Sequence, residues 1–149
     1  MSQTDARQQD VERLRAAYGA LNEGVADAAT AALAPDAVWC ESAGLPDAST
    51  VHGRDAIEAF LADFLESWQE FSQEIEDVVV TGDRVALLIH LRATGKASGA
   101  TVDARYAHVW TMHDGIGIRV EAFRDRESAL VAIGAQAETG DAERPAIEP

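Results

Sequence analysis

The hydrophobic period of the chain changes at Trp68, and this change most constrains the fold. Before Trp68, apolar side chains recur at helical spacing over residues 57–68, which predicts an amphipathic helix beginning near Gly53. After Trp68 the apolar period is two, which is the period of a β-strand. Short turns separate four such segments, so we predict an antiparallel meander of strands over residues 71–81, 84–94, 102–112 and 116–124.

The first third of the chain predicts two more helices and one strand. Apolar positions at helical spacing predict a first helix from about residue 6, and the Ala-rich segment 26–33 predicts a short second helix. After a turn at Pro35-Asp36, residues 37–41 predict a short strand. Residues 42–52 form a predicted loop that is long enough to cover the mouth of a pocket.

These elements predict an α+β fold, because the apolar face of such a sheet must be covered by helices. The expected architecture is a cone-shaped, curved, mixed or antiparallel β-sheet with three helices that enclose a pocket. Residues 126–133 add a short C-terminal helix that stops at Gly134. We expect a single domain over residues 1–134 and a disordered acidic tail over residues 135–149, which are rich in Ala, Glu, Asp and Pro.

The composition limits the partners of the chain. It has 149 residues, of which 47% are hydrophobic, so we expect one domain with a substantial core. Its formal net charge of −14 disfavours binding to nucleic acid or to an anionic membrane. The sequence shows no apolar run of the ~20 residues that a transmembrane helix needs, no signal-peptide core in residues 1–10, and a single cysteine, Cys40. We therefore expect a cytoplasmic protein.

The strand predicted at residues 102–112 places a histidine in an apolar row. Alternate residues share one face of a strand, so His108 lies between Tyr106 and Trp110, on a face completed by Val102, Ala104 and Met112. We expect this face to point toward the helices. A histidine in an apolar pocket could transfer a proton, but it could also be a core residue satisfied by a hydrogen bond.

A second ionisable group comes from the strand predicted at residues 37–41. Trp39 and Glu41 share one face of that strand, and Val38 and Cys40 share the other. If the face of Glu41 is inward, its carboxylate is poorly solvated beside an indole and could act as a base. If the strand is an edge strand with that face outward, Glu41 is a solvated surface residue.

We expect neither a metal ion nor a cofactor. His108 and His113 are five residues apart on a strand, which places them on opposite faces, so they do not form a metal-binding pair. The sequence also lacks a Gly-rich phosphate loop.

Three phrases, together with the order of the elements, resemble a known family. They are VHGRDAI (51–57), GDRV (82–85) and HVWTMHDG (108–115). Over roughly residues 8–134 the chain resembles the SnoaL-like branch of the nuclear-transport-factor-two-like superfamily, which also contains polyketide cyclases and ketosteroid isomerases. Because this fold hosts isomerases, cyclases, hydrolases, dehydratases and binding modules, the resemblance implies a fold rather than one function.

The resemblance to the ketosteroid isomerases implies roles for three residues. Their acid/base carboxylate late in the first strand corresponds to Glu41, and their oxyanion-hole tyrosine on the first helix corresponds to Tyr18. Their second oxyanion donor, a protonated aspartate, corresponds to His108. The chain departs from the pattern at Leu33 and Leu61, where those enzymes have supporting tyrosines, which argues against steroid isomerisation.

The resulting hypothesis is a cofactor-independent isomerase or polyketide-cyclase-like enzyme that acts on a small or polycyclic carbonyl compound. Glu41 could be the base with His108 and Tyr18 as donors, or His108 could itself be the base. The residues predicted to contact the substrate are Trp39, Phe60, Phe64, Tyr106, Trp110 and Val120. The alternative is a non-catalytic small-molecule-binding or dimerisation module of the same fold.

The opposite face of the predicted sheet suggests a homodimer. Its residues are small or apolar, and we expect the helices to leave them uncovered, as on a partner surface. Relatives of this fold commonly dimerise through that face. The residues concerned are Ala86, Leu88, Ala107, Val109 and Thr111.

Overall fold

The computed structural model of the protein describes residues 3–134. It contains four α-helices, one short 3-10 helix at Thr30–Ala32 and six β-strands. The helices are α1 (Gln3–Asn22), α2 (Ala26–Ala29), α3 (Arg54–Glu66) and α4 (Arg126–Ala132). The strands are β1 (Leu33–Glu41), β2 (Ser49–His52), β3 (Trp68–Thr81), β4 (Arg84–Gly95), β5 (Thr101–His113) and β6 (Ile116–Phe123).

The strands form one mixed sheet in the order β2-β1-β6-β5-β4-β3. Only β1 and β6 pair in parallel, and all other neighbours are antiparallel. The predicted meander therefore corresponds to β3 through β6, and the predicted α+β class is confirmed. The predicted tail, residues 135–149, lies outside the described residues. Within residues 3–134, no helix combines the length and the apolar composition needed to span a membrane.

One face of the sheet, which we call the inner face, packs against α1 and α3 and forms the main core. The alternation predicted for β5 is confirmed, since Trp110 and Met112 belong to this core and Tyr106 packs against it. On β4, Val85, Leu87 and Ile89 are fully buried on the same face. The alternate residues of both strands point to the other side of the sheet, which we call the outer face.

Two predicted boundaries in the first third of the chain are wrong. The turn expected at Pro35-Asp36 lies inside β1, where the pairing with β6 shifts register between Leu33 and Val38. Proline has no N–H to donate to the hydrogen bonds between the strands, so the pairing is interrupted locally at Pro35 while the strand continues. Residues 49–52, expected in a loop, form β2 because they pair with the free edge of β1.

A third boundary moves at the end of α3. The helix was predicted to extend to Trp68, but it ends at Glu66, and Trp68 pairs with Gly95 as the first residue of β3. Trp68 fits both patterns, because its ring packs edge-on against Phe64 of α3, with ring centroids 5.9 Å apart. Its apolar character alone could not decide between the last helical turn and the first strand residue.

Helix α4 covers part of the outer face. Ala129 of α4, and Ile133, which directly follows the helix, form a second core with Ala86, Ala107 and Val109 of the sheet. The side chain of Asp125 accepts a hydrogen bond from the backbone N–H of Ser128 at 2.7 Å, which caps the start of the helix. The expectation that this face is uncovered is therefore wrong, although Leu88 and half-buried Thr111 lie on it as predicted.

A side-chain amide fixes the end of α1 to the edge of the sheet. Within residues 3–134, strand β3 has no neighbour on its outer side, so its outward backbone groups need other partners. At Gln73 the side-chain amide of Asn22 supplies a partner for each backbone group. Its Nδ2 donates to the carbonyl oxygen of Gln73 at 3.0 Å, and its Oδ1 accepts from the N–H of Gln73 at 2.8 Å. These two hydrogen bonds fix α1 against the sheet at a point one helical turn after Tyr18.

Gly117 of β6 provides space for the Trp110 indole. A Cβ atom at this position would lie 2.5 Å from Cε3 of Trp110, which is closer than real contacts allow. We expect Gly117→Ala to lower the free energy of unfolding by about 1–3 kcal/mol, the usual cost of overpacking. Urea denaturation followed by tryptophan fluorescence measures this change.

Gly19→Ala is the matched control for this prediction. Gly19 lies within α1, where an added Cβ meets nothing within 4 Å. The substitution should raise the free energy of unfolding by about 0.5–1 kcal/mol, because glycine is a poor helix former. Equal stability of Gly117→Ala and the wild type would contradict the packing argument.

Candidate functional site

A cavity of about 220 Å³ lies between the inner face of the sheet and the helices. Its wall is mostly aromatic and aliphatic. Eight of the nine residues predicted for the site line it: Tyr18, Trp39, Glu41, Phe60, Phe64, Tyr106, His108 and Trp110. The ninth, Val120, is fully buried in the main core instead.

A buried chain of hydrogen bonds connects β5 to α1. The indole Nε1 of Trp110 donates to the hydroxyl oxygen of Tyr18 at 3.0 Å, and this hydroxyl lies 2.6 Å from Nδ1 of His108. Burial raises the pKa of Tyr18, so the phenol keeps its proton. The described residues offer the phenol proton no other acceptor, so this proton is directed to Nδ1 of His108. We call this chain the Trp110–Tyr18–His108 relay.

Burial determines the protonation state of His108, and the relay determines its tautomer. Its ring is 5% exposed, and burial lowers the pKa of His108 to about 4, so the imidazole is neutral near pH 7. A neutral imidazole that accepts at Nδ1 carries its proton on Nε2. None of residues 3–134 hydrogen-bonds Nε2, which leaves this N–H available to a ligand in the cavity that His108 lines.

Glu41 faces the same cavity. Its side chain is half-buried, and one carboxylate oxygen accepts a hydrogen bond from the indole Nε1 of Trp39, two residues earlier on β1. The Trp39 ring in turn meets the ring of His108 edge-on, with centroids 5.2 Å apart. Trp39 therefore orients the carboxylate and also contacts the histidine in the wall of the cavity.

Four polar residues that line the cavity were missed by the sequence analysis: Thr30, Ser42, Gln73 and Arg124. For Gln73 the signal was present, since it has the same strand parity as Phe71 and Ile75, which pack against the core. Arg124 was treated only as the end of a strand. It forms an exposed ion pair with Asp47 at 2.7 Å, and Ser42 lies nearby at the rim.

Leu33 and Leu61, at the positions where the ketosteroid isomerases carry supporting tyrosines, both line the cavity. The two side chains are buried and present only hydrocarbon. The relay therefore receives no further hydroxyl from these positions. Among the described residues, its members bond to each other rather than to a wider tyrosine network.

One group of described residues has its ligand atoms close enough together to hold a metal ion. Glu74, Glu76 and His90 bring theirs within 4.8 Å of one another, away from the cavity. However, Arg105 and Arg126 both donate to Glu76, and they hold the pKa of that carboxylate down to about 2. These two cations already supply the positive charge that an ion would bring.

Comparison with known sequences identifies one family. A model of the SnoaL-like domain matches residues 14–120. Among curated proteins, none has significant sequence similarity to the chain.

Solved structures share the fold at low sequence identity. An NTF2-like protein of unknown function from Burkholderia pseudomallei is 24% identical, with a TM-score of 0.69, over 84% of this chain and 97% of the other. A putative SnoaL-like polyketide cyclase from Jannaschia sp. is 23% identical, with a TM-score of 0.70, over 86% and 93%. A hypothetical protein with a ketosteroid isomerase-like fold from Catenulispora acidiphila, in complex with trimethylamine, is 17% identical, with a TM-score of 0.68, over 83% and 92%.

The neutral state of His108 has a consequence for stability in acid. Its pKa is lowered from 6.5 to about 4 in the folded protein, so between these values the unfolded chain binds a proton that the folded chain does not. The contribution of this group to the free energy of unfolding is therefore present above that window. It is lost as the pH falls through the window, by up to about 3 kcal/mol.

Urea denaturation of His108→Gln and the wild type at about pH 7 and about pH 4.5 tests this linkage. The wild type should lose more stability than the variant over this interval, because only the wild type has the buried imidazole. Equal losses in the two proteins would show that His108 does not resist protonation in the folded state.

Proposed function

The chain belongs to the SnoaL-like domain family, and from this premise we propose that it is a cofactor-independent isomerase or polyketide-cyclase-like enzyme. Its substrate is a small carbonyl compound, and its chemistry is general acid/base proton transfer. Membership of the family is compatible with several activities, so the proposal depends on the residues of the cavity.

One observation carries the proposal: a carboxylate and a neutral N–H donor face the same apolar cavity. Removal of a proton next to a carbonyl needs a base near the carbon and a hydrogen-bond donor near the oxygen. Glu41 is the carboxylate, and Nε2 of His108 is the donor. An indole N–H holds each of them in place. Trp39 donates directly to Glu41, whereas Trp110 acts on His108 through the hydroxyl of Tyr18.

The relay favours Glu41 over His108 as the base. To accept a proton at Nε2, His108 would have to lose the proton already there, and Nδ1 is occupied by the hydroxyl of Tyr18. Tyr18 is in turn a positioning residue in this proposal, because its own proton goes to His108 and not to a ligand. Of the two donors that the sequence suggested, Tyr18 and His108, only His108 keeps this role in the proposal.

A neutral histidine is a suitable donor to an oxygen that gains negative charge. Its N–H is fixed before the substrate arrives, so little reorganisation is needed as the charge develops. The surrounding aromatic rings of Trp39 and Tyr106, each with its centroid 5.2 Å from that of the imidazole, exclude water and strengthen the interaction.

The size of the cavity favours a small substrate. Its volume of about 220 Å³ lies below the ~300–1,000 Å³ that is common for ligand pockets, so a compound of one or two rings suits it better than a large polycycle. One relative by fold holds trimethylamine, and another is described as a putative polyketide cyclase. These proteins support a small-molecule ligand without identifying it.

The second candidate function is a small-molecule-binding module without catalysis. The observation in its favour is the hydrocarbon at Leu33 and Leu61, which leaves the relay without the supporting hydroxyls of the ketosteroid isomerases. In a binding module the same N–H of His108 would hold a ligand oxygen, and Glu41 would serve as an acceptor only. A cytoplasmic location is part of both proposals.

Substitution of Glu41 separates the two functions. Glu41→Gln keeps the shape and removes the base, so turnover should fall by ~100-fold or more, the usual scale of general acid–base catalysis, while ligand affinity changes little. His108→Asn should also impair turnover through the lost donor. The substrate for this assay comes from a thermal-shift screen of small carbonyl compounds followed by turnover measurements on those that bind.

Phe60→Leu is a control, because Phe60 lines the cavity but carries no proton. It should change substrate affinity more than turnover. Unimpaired turnover in Glu41→Gln would leave His108 as the base. Unimpaired turnover in both Glu41→Gln and His108→Asn would end the acid–base proposal and favour the binding module.

The homodimer expected from the sequence stays a prediction. Its proposed surface is partly occupied, because α4 packs on Ala86, Ala107 and Val109. A dimer on this side would therefore contact α4 itself, whose Val131 is 58% exposed. Light scattering at micromolar concentration should give twice the mass of the chain, and a monomer would rule the dimer out.

A further inference from the structure

The wall of the cavity carries a positive charge that the proposed chemistry does not use. Arg124 directly follows β6 and lines the cavity, and among the described lining residues it is the only cationic side chain. Glu41 is the only carboxylate among the same lining residues. Proton transfer between Glu41, His108 and a substrate needs no further cation, so Arg124 is available for a different task.

The backbone holds Arg124 beside the end of the strand that bears Glu41. Strands β1 and β6 are parallel neighbours, and their pairing continues past the end of β1, since the N–H of Ala43 donates to the carbonyl oxygen of Ala122 at 2.9 Å. Nη2 of Arg124 thereby lies 3.5 Å from Oγ of Ser42, the residue directly after Glu41. The guanidinium and the proposed base therefore lie at the same end of the cavity.

The present partner of the guanidinium is weakly held. Nη2 of Arg124 donates to a carboxylate oxygen of Asp47 at 2.7 Å, and the side chains of both residues are 62% exposed. An exposed ion pair of this kind adds little to stability, because water and salt screen it. Asp47 itself does not line the cavity. A negatively charged group of a ligand in the cavity can therefore take the place of Asp47 without the loss of a strong interaction.

The remaining donors of Arg124 match a carboxylate. Within residues 3–134, its Nε and Nη1 donate to no acceptor. A guanidinium presents its N–H groups as a planar fork that fits the two oxygens of a carboxylate. The chain as a whole has a formal net charge of −14 and repels anions, so an anionic ligand needs a local cation of this kind.

We propose that Arg124 forms a subsite for a carboxylate group of the ligand, so that the substrate is a carbonyl compound that also carries a carboxylate. The proposal deepens the proposed function, on which it rests only for the placement of the carbonyl at His108. The ligand carboxylate replaces Asp47 on the guanidinium, at the solvent-exposed side of the cavity. Arg124 binds and orients the substrate in this proposal and takes no part in proton transfer.

Two probes of the same shape test the subsite by isothermal titration with the full chain at about pH 7, where a benzoate is ionised. They are 4-acetylbenzoate and 4-acetylbenzamide, which share the ring and the ketone and differ in having a carboxylate or a neutral amide. The wild type should bind 4-acetylbenzoate about tenfold or more tightly, the scale of charge-assisted hydrogen bonds. An increase in NaCl from about 50 mM to about 500 mM should reduce this preference, because the guanidinium is exposed.

Two variants should change the preference in opposite directions. Arg124→Gln removes the cation and should abolish the preference, whereas Asp47→Asn removes the competing carboxylate and should tighten the binding of 4-acetylbenzoate about threefold. The affinity of both variants for 4-acetylbenzamide should stay within about twofold of the wild type, which shows that each keeps its cavity.

Arg119→Gln is the matched control for the loss of a positive charge. Arg119 lies on the same strand, is 45% exposed at its side chain and does not line the cavity. Its substitution should leave the preference for 4-acetylbenzoate intact. Glu41→Gln should also keep the preference, because Arg124 is still present, so the result is independent of whether Glu41 acts as a base.

Three results would overturn the subsite. They are a wild type without a preference for 4-acetylbenzoate, a preference that persists in Arg124→Gln, and an equal loss of preference in Arg119→Gln and Arg124→Gln, which would assign it to the general charge of the protein. Loss of turnover in Glu41→Gln with a persistent preference in Arg124→Gln would support the enzyme and reject the subsite. Unimpaired turnover in Glu41→Gln with a preference lost only in Arg124→Gln would reject the base and support the subsite.

Discussion

The hydrogen bonds from Trp110 to Tyr18 and from Tyr18 to His108 are the interaction on which the rest of the site depends. Buried polar groups must be paired, and each of these three side chains is almost fully buried. The chain of bonds therefore holds α1 at a fixed position over β5. It also explains why β6 carries a glycine at residue 117, since a larger side chain there would displace the indole that begins the chain.

Much of this arrangement follows from the alternation of side chains, which is why the sequence predicted it. The alternation of side chains along the strand alone predicted that His108 and Trp110 lie on the inner face. Helical spacing predicted that Tyr18 lies on the buried face of α1. Parity also placed Trp39 and Glu41 together. The direction of each proton could not be predicted, because it depends on which atoms meet across two elements that are 90 residues apart.

The errors have the same physical origin. Periodicity describes one segment at a time, whereas β2 exists only because β1 offers it a free edge. Likewise, nothing within residues 126–133 states which surface the helix will cover, and its docking on Ala107 and Val109 hides a face that looked open. Gln73 shares its strand face with Phe71 and Ile75, but a polar residue on an edge strand is usually solvated, so this signal did not predict a position in the cavity.

The two hydrogen bonds between the Asn22 side chain and the backbone of Gln73 attach the helix that carries Tyr18 to the β3 side of the cavity. Asn22 lies one helical turn after Tyr18, so the same helix bears the partner of His108 and the anchor of Gln73. A small rotation of α1 therefore changes both sites together. Coupling of this kind is reciprocal. If a ligand at His108 changes the free energy of ordering Gln73, a ligand at Gln73 changes the free energy of ordering His108 by the same amount.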